Sequence, residues 1–152
     1  EELVKYFRSG EGHLWERQVL TRARLICGDP EFGQTVLHAI DHAILLPNWS
    51  SQTIDEIRQM RDRMEASTSP RSLKRAKGGV VDIEFLVQML QLKYGRQFPE
   101  IRVPNIWHAL DTLLAHRLLD DAEHRTLWDA YSFLRKVESR LRIVTNRALS
   151  EY

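Results

Sequence analysis

The sequence has little of what marks a secreted or membrane-bound protein. It holds one cysteine, Cys27, so no disulfide can form within the chain, and a lone thiol reads as a small buried apolar residue in a reducing compartment. No apolar run approaches the roughly 20 residues that a membrane helix needs. No basic segment followed by an apolar stretch opens the chain as a signal peptide would. These absences predict a cytoplasmic protein with no membrane partner, and the glycosylation-like Asn48-Trp49-Ser50 is then a coincidence. Charge of one sign is also missing, because 22 basic side chains face 21 acidic ones for a net charge of +1. That balance argues against nucleic acid as a partner, since nucleic-acid-binding domains carry a strongly basic face. There is no Gly-x-Gly-x-x-Gly, no Walker loop and no nucleophile elbow, so no autonomous catalytic site is visible.

What is present fits one folded unit. A chain of 152 residues, 43% hydrophobic and 28% charged, is long enough to bury a core without metal or disulfide staples. The first residue is Glu1 rather than methionine, which suggests a piece of a longer protein. The basic residues are 17 arginines and 5 lysines. Arginine is the better fork for phosphate and carboxylate, although a bias in base composition produces the same skew.

Between its glycines and prolines the chain has helical spacing. Over about 12–27, Trp15, Val19, Ala23 and Ile26 share one face while Arg17, Thr21 and Arg24 line another, with Gly28 as a plausible stop. A second helix is predicted over about 30–45, with Pro30 in its first turn, a buried stripe of Val36, Leu37, Ile40 and Ile44, and Pro47 just beyond its end. A third, capped by Thr53 or Ser51, runs through Ile54, Ile57, Met60 and Met64. Its outer face of Asp55, Glu56, Arg58, Asp62, Arg63 and Glu65 reads as solvated. Val80 to Tyr94 is apolar on almost every side and should be the central helix. Its one polar stripe, Glu84, Gln88 and Gln91, needs partners inside the protein. A fifth helix follows Pro104 through Ile106, Ala109, Leu110, Leu113 and Leu114. A sixth is predicted from about Asp121 to Leu149, with a near-heptad stripe of Leu127, Ala130, Leu134, Val137, Leu141, Val144 and Ala148. The pattern predicts an all-α, up-and-down bundle of about five to six helices, a single domain over 1–152.

The candidate functional residues cluster in a few places. Lys74-Arg75-Ala76-Lys77-Gly78-Gly79 is a basic loop leading into a helix, and its lysines, glycines and free backbone amides would favour phosphate. The competing reading is a flexible basic linker with Asp82 as the helix cap. Arg17 and Arg24, seven apart, form either a phosphate-facing pair or a cover for solvated surface. Arg135, Glu138 and Arg142 stand at ion-pair spacing on the last helix, where a solvated ladder is the default. His38 and His42 have the i, i+4 spacing that can hold zinc, but a third ligand is lacking, so they read as a surface pair and no metal is expected here. His108, His116 and His124 are assigned no role.

Several of these segments, in this order, resemble one family. Trp15-Glu16-Arg17-Gln18-Val19-Leu20-Thr21-Arg22-Ala23-Arg24, Gly28-Asp29-Pro30, Met60-Arg61-Asp62-Arg63-Met64, Lys74 with Gly78-Gly79-Val80-Val81-Asp82-Ile83-Glu84-Phe85-Leu86-Val87-Gln88, and Ala130-Tyr131-Ser132-Phe133-Leu134-Arg135-Lys136-Val137-Glu138 are similar to the glutamine synthetase adenylyltransferase/adenylyl-removing family. In that family each half of a long chain pairs a nucleotidyltransferase domain with a following helical bundle. This sequence resembles the bundle, a fold like nucleotidyltransferase substrate-binding domains. The Gly-Ser and spaced aspartates of the catalytic domain are absent, so the chain alone is expected to be inactive.

For the whole enzyme the resemblance implies regulation of nitrogen metabolism. The reaction is reversible transfer of AMP from ATP, with magnesium, to a tyrosine of glutamine synthetase, tuned by the PII signalling protein and glutamine. Arg22-Ala23-Arg24 leading to Gly28-Asp29-Pro30, Met60 to Met64, and Asp82 before Ile-Glu-Phe look more like the C-terminal, AMP-attaching half. Phe133 to Glu138 resembles the AMP-removing half as well. Nucleotidyl transfer concentrates charge on phosphate oxygens, so the nucleotide-facing candidates are Lys74, Gly78, Gly79 and Arg24, followed by Arg17 and Lys77. Asp82, Glu84, Gln88, Arg135 and Glu138 are orienting or structural candidates. The alternative is a helical interaction module that docks on glutamine synthetase, PII or its own catalytic domain without touching nucleotide. In that case exposed positions such as Trp128, Arg135 and Trp49 would matter most.

Overall fold

Caps in the sequence set most of the element boundaries in the computed structural model, which describes residues 2–45 and 49–145. The fold is all-α. Among the described residues there are seven α-helices and no strand: α1 (Glu2–Arg8), α2 (Leu14–Leu20), α3 (Pro30–Ile44), α4 (Ser51–Ala66), α5 (Val80–Tyr94), α6 (Ile106–Ala115) and α7 (Asp121–Thr145), with a 3-10 turn at Pro99–Ile101. Asp29 caps α3 by accepting from the Phe32 amide at 2.8 Å, with Pro30 at the first position, and Asn105 caps α6 by accepting from the His108 amide at 3.1 Å. The cap of α4 is Ser50, one residue before the predicted Ser51. No helix is long and apolar enough to cross a membrane among the described residues.

The core is built around α5, as its composition predicts. Val80, Ile83 and Val87 pack with Ile101, Ile106, Ala109, Leu110, Leu113, Leu119 and Tyr131, drawing α6 and α7 against α5. The polar stripe of α5 faces inward, and Glu84 and Gln91 find partners there. Gln91 donates to the carbonyls of Ile101 and Val103, both at 2.8 Å, holding the 3-10 turn. Gln88 is buried beside it. A smaller cluster of Ile40, Ile44 and Leu92 joins α3 to α5, and Trp49 packs on it, so Trp49 is half-buried rather than an exposed docking residue.

The N-terminal third departs from the periodicity. A helix over 12–27 is not formed; α2 ends at Leu20, a turn follows at 21–22, and the chain has no regular structure over 23–26 before the bend at 27–28. Its apolar face also points the other way: Trp15 is 50% and Val19 62% exposed, while Arg17 and Gln18 are buried. The reason is the short helix α1, unforeseen in the sequence, whose Phe7 is buried. Arg17 reaches between α1 and α3 to donate to the Phe7 carbonyl at 2.8 Å and to the Ala43 carbonyl, and it lies over the Phe7 ring at 4.7 Å. Both carbonyls belong to the last turns of their helices, where no intrahelical donor is available. One guanidinium therefore closes two helix C-termini, and its polar face is drawn inside.

On α3 the predicted stripe is half realised, since Ile40 and Ile44 are buried and Val36 is exposed. Only Tyr131 and Glu138 are buried on α7. Its heptad stripe packs through Leu127, Ala130 and Leu134, but Val144 is 82% exposed, because a 25-residue helix outruns the 10-residue α6 beside it. Pro47, Ala148 and Leu149 lie outside the described residues.

Candidate functional site

Two surfaces gather the cationic candidates, and both are organised from the N-terminal half of α5. The first is a cleft of about 330 Å³ lined by Arg22, Arg24, Asn105, Trp107, Tyr131 and Arg135, with Pro104 and Ile106 completing its wall. Its floor is set by Glu84, which accepts from the Tyr131 hydroxyl at 3.2 Å and pairs with Arg22 at 3.0 Å. The buried acceptor expected at Glu84 is thus satisfied from both sides. Burial pushes the Tyr131 phenol up to about 12, and the neighbouring Glu84 carboxylate adds to the rise. Tyr131 therefore serves as a neutral donor across the whole physiological range. Its ring meets Trp107 edge to face at 4.7 Å, and Trp107 donates to the Ser132 hydroxyl at 2.8 Å, fixing the aromatic wall.

The charges of this cleft are arranged in a definite order. Arg22 is held by Glu84, and Arg135 by Glu138 at 2.7 Å. Glu138 is nearly enclosed and also receives Arg142 at 3.6 Å, so this ladder is anchored on one buried carboxylate rather than fully solvated. Arg24 has no acidic partner among the described residues. The first turn of α6 forms part of the wall and adds the partial positive charge of a helix N-terminus. An anion entering the cleft meets Arg24, which has no acidic partner among the described residues, and two guanidiniums held by Glu84 and Glu138.

The second surface is the loop before α5, and it is folded rather than a flexible linker. Its backbone is closed by hydrogen bonds from the Val80 amide to Leu73, the Val81 amide to Lys74 and the Gly79 amide to Ala76, at 2.9 to 3.0 Å. The amides expected to be free for phosphate at the helix start are therefore taken by the loop itself. Gly78 adopts φ +77°, and a Cβ on Gly79 would sit 2.8 to 2.9 Å from three loop carbonyls. The two glycines serve this closure. Asp82 is not the N-cap, which is Gly79. Asp82 bonds the Gly78 amide at 2.6 Å and the Arg61 guanidinium, and Arg61 also donates to the Ala76 carbonyl at 3.2 Å. What the loop offers outward is Lys74, Arg75 and Lys77, all exposed.

The structure thus brings Arg24, Glu84, Arg135 and Glu138 into or under one cleft, and sets Lys74, Lys77, Gly78 and Gly79 on the separate loop before α5, with Asp82 in the first turn of that helix. Arg17 belongs to neither. It is 7% exposed and occupied by two helix ends, which corrects the pairing with Arg24. Sequence reasoning passed over Arg22, Trp107 and Tyr131 in the cleft, and Arg61 behind the loop. A signal existed for Arg22 and Tyr131, because a glutamate in so apolar a helix demands a cation or a donor. Nothing local marked Trp107. Among the described residues, no group of three or more His, Cys, Asp or Glu side chains forms a metal-binding cluster.

Comparison with known proteins adds a lineage to this geometry. The family model described as GlnD PII-uridylyltransferase matches residues 50–150, a span that includes α4 to α7 and the loop. The chain is 34% identical over 92% of its length to a bifunctional glutamine synthetase adenylyltransferase/adenylyl-removing enzyme of Stenotrophomonas maltophilia (strain R551-3). It is 34% identical over 94% to the one from Corynebacterium efficiens and 29% over 97% to one from Bradyrhizobium sp. (strain ORS 278). The chain spans only 14 to 16% of the length of these relatives.

Proposed function

Since the chain belongs to the GlnD PII-uridylyltransferase model's family and, with it, to the glutamine synthetase adenylyltransferase/adenylyl-removing enzymes, we propose that it is one helical domain of a larger enzyme of that kind, working beside a nucleotidyltransferase domain outside these 152 residues. The parent reaction is AMP transfer between ATP and a tyrosine of glutamine synthetase, with PII as a regulatory partner, in the cytoplasm. The chain alone is inactive in this reading, and it belongs to the adenylylating half. The observation that carries the proposal is the cleft of Arg22, Arg24 and Arg135, in which Arg24 has no acidic partner among the described residues.

Phosphate oxygens of ATP, or of an AMP-bearing tyrosine, fit that cleft. ATP supplies the adenylyl group when bound. Arg24 meets the phosphate charge, Glu84 and Glu138 orient Arg22 and Arg135, and the neutral Tyr131 hydroxyl donates to the second oxygen of Glu84 and fixes its carboxylate. Lys74 and Lys77 offer a second positive surface on the loop, with Gly78, Gly79 and Asp82 shaping that loop. Cations placed over charge that develops in the transition state act most strongly where water is excluded. Magnesium does not fit this cleft, because Glu84 and Glu138 are already paired with arginines and no three-ligand cluster is formed among the described residues. Its ligands belong to the catalytic domain.

The test is AMP attachment to, and removal from, glutamine synthetase by the full-length parent carrying Arg24→Gln or Lys74→Ala, with thermal melts as the folding control. Attachment falling tenfold or more, about 1.4 kcal/mol of transition-state stabilisation, with removal and melt preserved supports the proposal and the adenylylating half. Selective loss of removal assigns the other half. Unchanged activities in both variants overturn the nucleotide role. That last result favours an interaction module, a reading supported by the exposed Trp15, Val19, Ile26 and Phe32 on the N-terminal third.

A further inference from the structure

A further cavity shares no lining residue with either of these surfaces. It lies between α1 and α3, has a volume of about 750 Å³, and is lined by Lys5, Arg8, His38 and His42 around Val4 and Ala39, with Ser9 and Thr35. We propose that this cleft is a second binding site, one that takes a small organic oxyanion, a phosphate or carboxylate group carried on an apolar body. The charge of the wall supports this class. In a chain with 22 basic and 21 acidic residues, none of the eight lining residues is acidic. Lys5 and Arg8 have no acidic partner among the described residues. Cations at the end of α1 also offset its helix dipole, but that effect does not require them to share a cleft with two histidines from another helix.

The histidine pair supplies the remaining polar contacts. His38 and His42 bring their Nε2 atoms to 3.1 Å, ring edge to face at 4.5 Å, so one ring donates to the other and this bond can be exchanged for one to a bound oxyanion. A divalent metal could use the same two nitrogens, but Lys5 and Arg8 oppose a cation, and no third ligand joins them among the described residues. Val4, Ala39 and the stems of Lys5 and Arg8 give the cleft an apolar body, and its volume is in the range of small-molecule pockets. Positive side chains gathered around a cleft concentrate anions from solution. Oxyanions bind such forks and ammonium groups through charge-assisted hydrogen bonds.

The experiment titrates the 152-residue chain with phenyl phosphate and with benzoate, which share an apolar body and differ in the headgroup, while NMR follows the His38 and His42 ring signals. The expected result is saturable shifts with at least one probe, weakened tenfold or more in Lys5→Gln/Arg8→Gln and unaffected by Arg24→Gln. Saturation with phenyl phosphate alone identifies a phosphate ester, and saturation with both admits carboxylates; either supports the site. If the double variant fails to fold, His42→Gln tests the same cleft. Shifts that never saturate, that survive in Lys5→Gln/Arg8→Gln, or that disappear only in Arg24→Gln overturn the proposal.

Discussion

Replacing Arg17 separates a role in folding from a role in chemistry. Its guanidinium satisfies the Phe7 and Ala43 carbonyls at two helix ends and covers the Phe7 ring, with burial lowering its pKa without removing its charge. Arg17→Met keeps the apolar stem and removes the donors. Each buried acceptor left unpaired costs about 1–3 kcal/mol, and the lost cation–π contact about 0.5–1 kcal/mol, giving a loss of about 3 kcal/mol once solvent reaches part of the gap. For a domain of this size 1 kcal/mol moves the melting temperature by about 2–4 °C, so the midpoint should fall by about 6–12 °C. Arg17→Lys restores the charge but not the fork and should fall between the two. Circular-dichroism melts of the chain measure this, and AMP attachment by the parent enzyme well below both midpoints should be near wild type. A midpoint within about 2 °C of wild type refutes the account. Lost activity with an unchanged melt refutes it too, and returns Arg17 to the ligand-facing candidates.

Two further outcomes test the loop and the cleft floor. Gly79→Ala forces a Cβ to within 2.8 to 2.9 Å of the Leu73, Lys74 and Ala76 carbonyls. It should cost about 1–3 kcal/mol and speed hydrogen exchange at the Val80 and Val81 amides; unaltered exchange there contradicts the closed loop. Tyr131 should ionise near pH 12 in the folded chain against an ordinary value of 10.0. The unfolded state then loses its proton first, and the Tyr131 contribution to stability declines as pH rises from about 10 to about 12. An ultraviolet difference titration of the chain against Tyr131→Phe checks this, and a Tyr131 midpoint near 10 contradicts the buried Glu84 contact.

The helical class and the central place of α5 followed from short-range rules, in which periodicity acts within a few residues. The demand of Glu84 for an inside partner was equally legible, because an isolated carboxylate in an apolar helix is too costly to leave unpaired. The identity of that partner was not, since Arg22 and Tyr131 meet it from 62 positions before and 47 after. The inversion of α2 has the same origin. Trp15 and Val19 obey helical spacing, but two carbonyls contributed by distant helix ends outweighed the burial of an apolar stripe on a two-turn helix. The Gly78-Gly79 pair was visible, and its function changed only when the loop folded back and took its own amides. Local sequence thus determined the course of α3 to α7 and the inward polar stripe of α5. Tertiary structure decided which polar groups are buried and which cations converge, because those outcomes depend on donors and acceptors that the chain brings together only when it closes on itself.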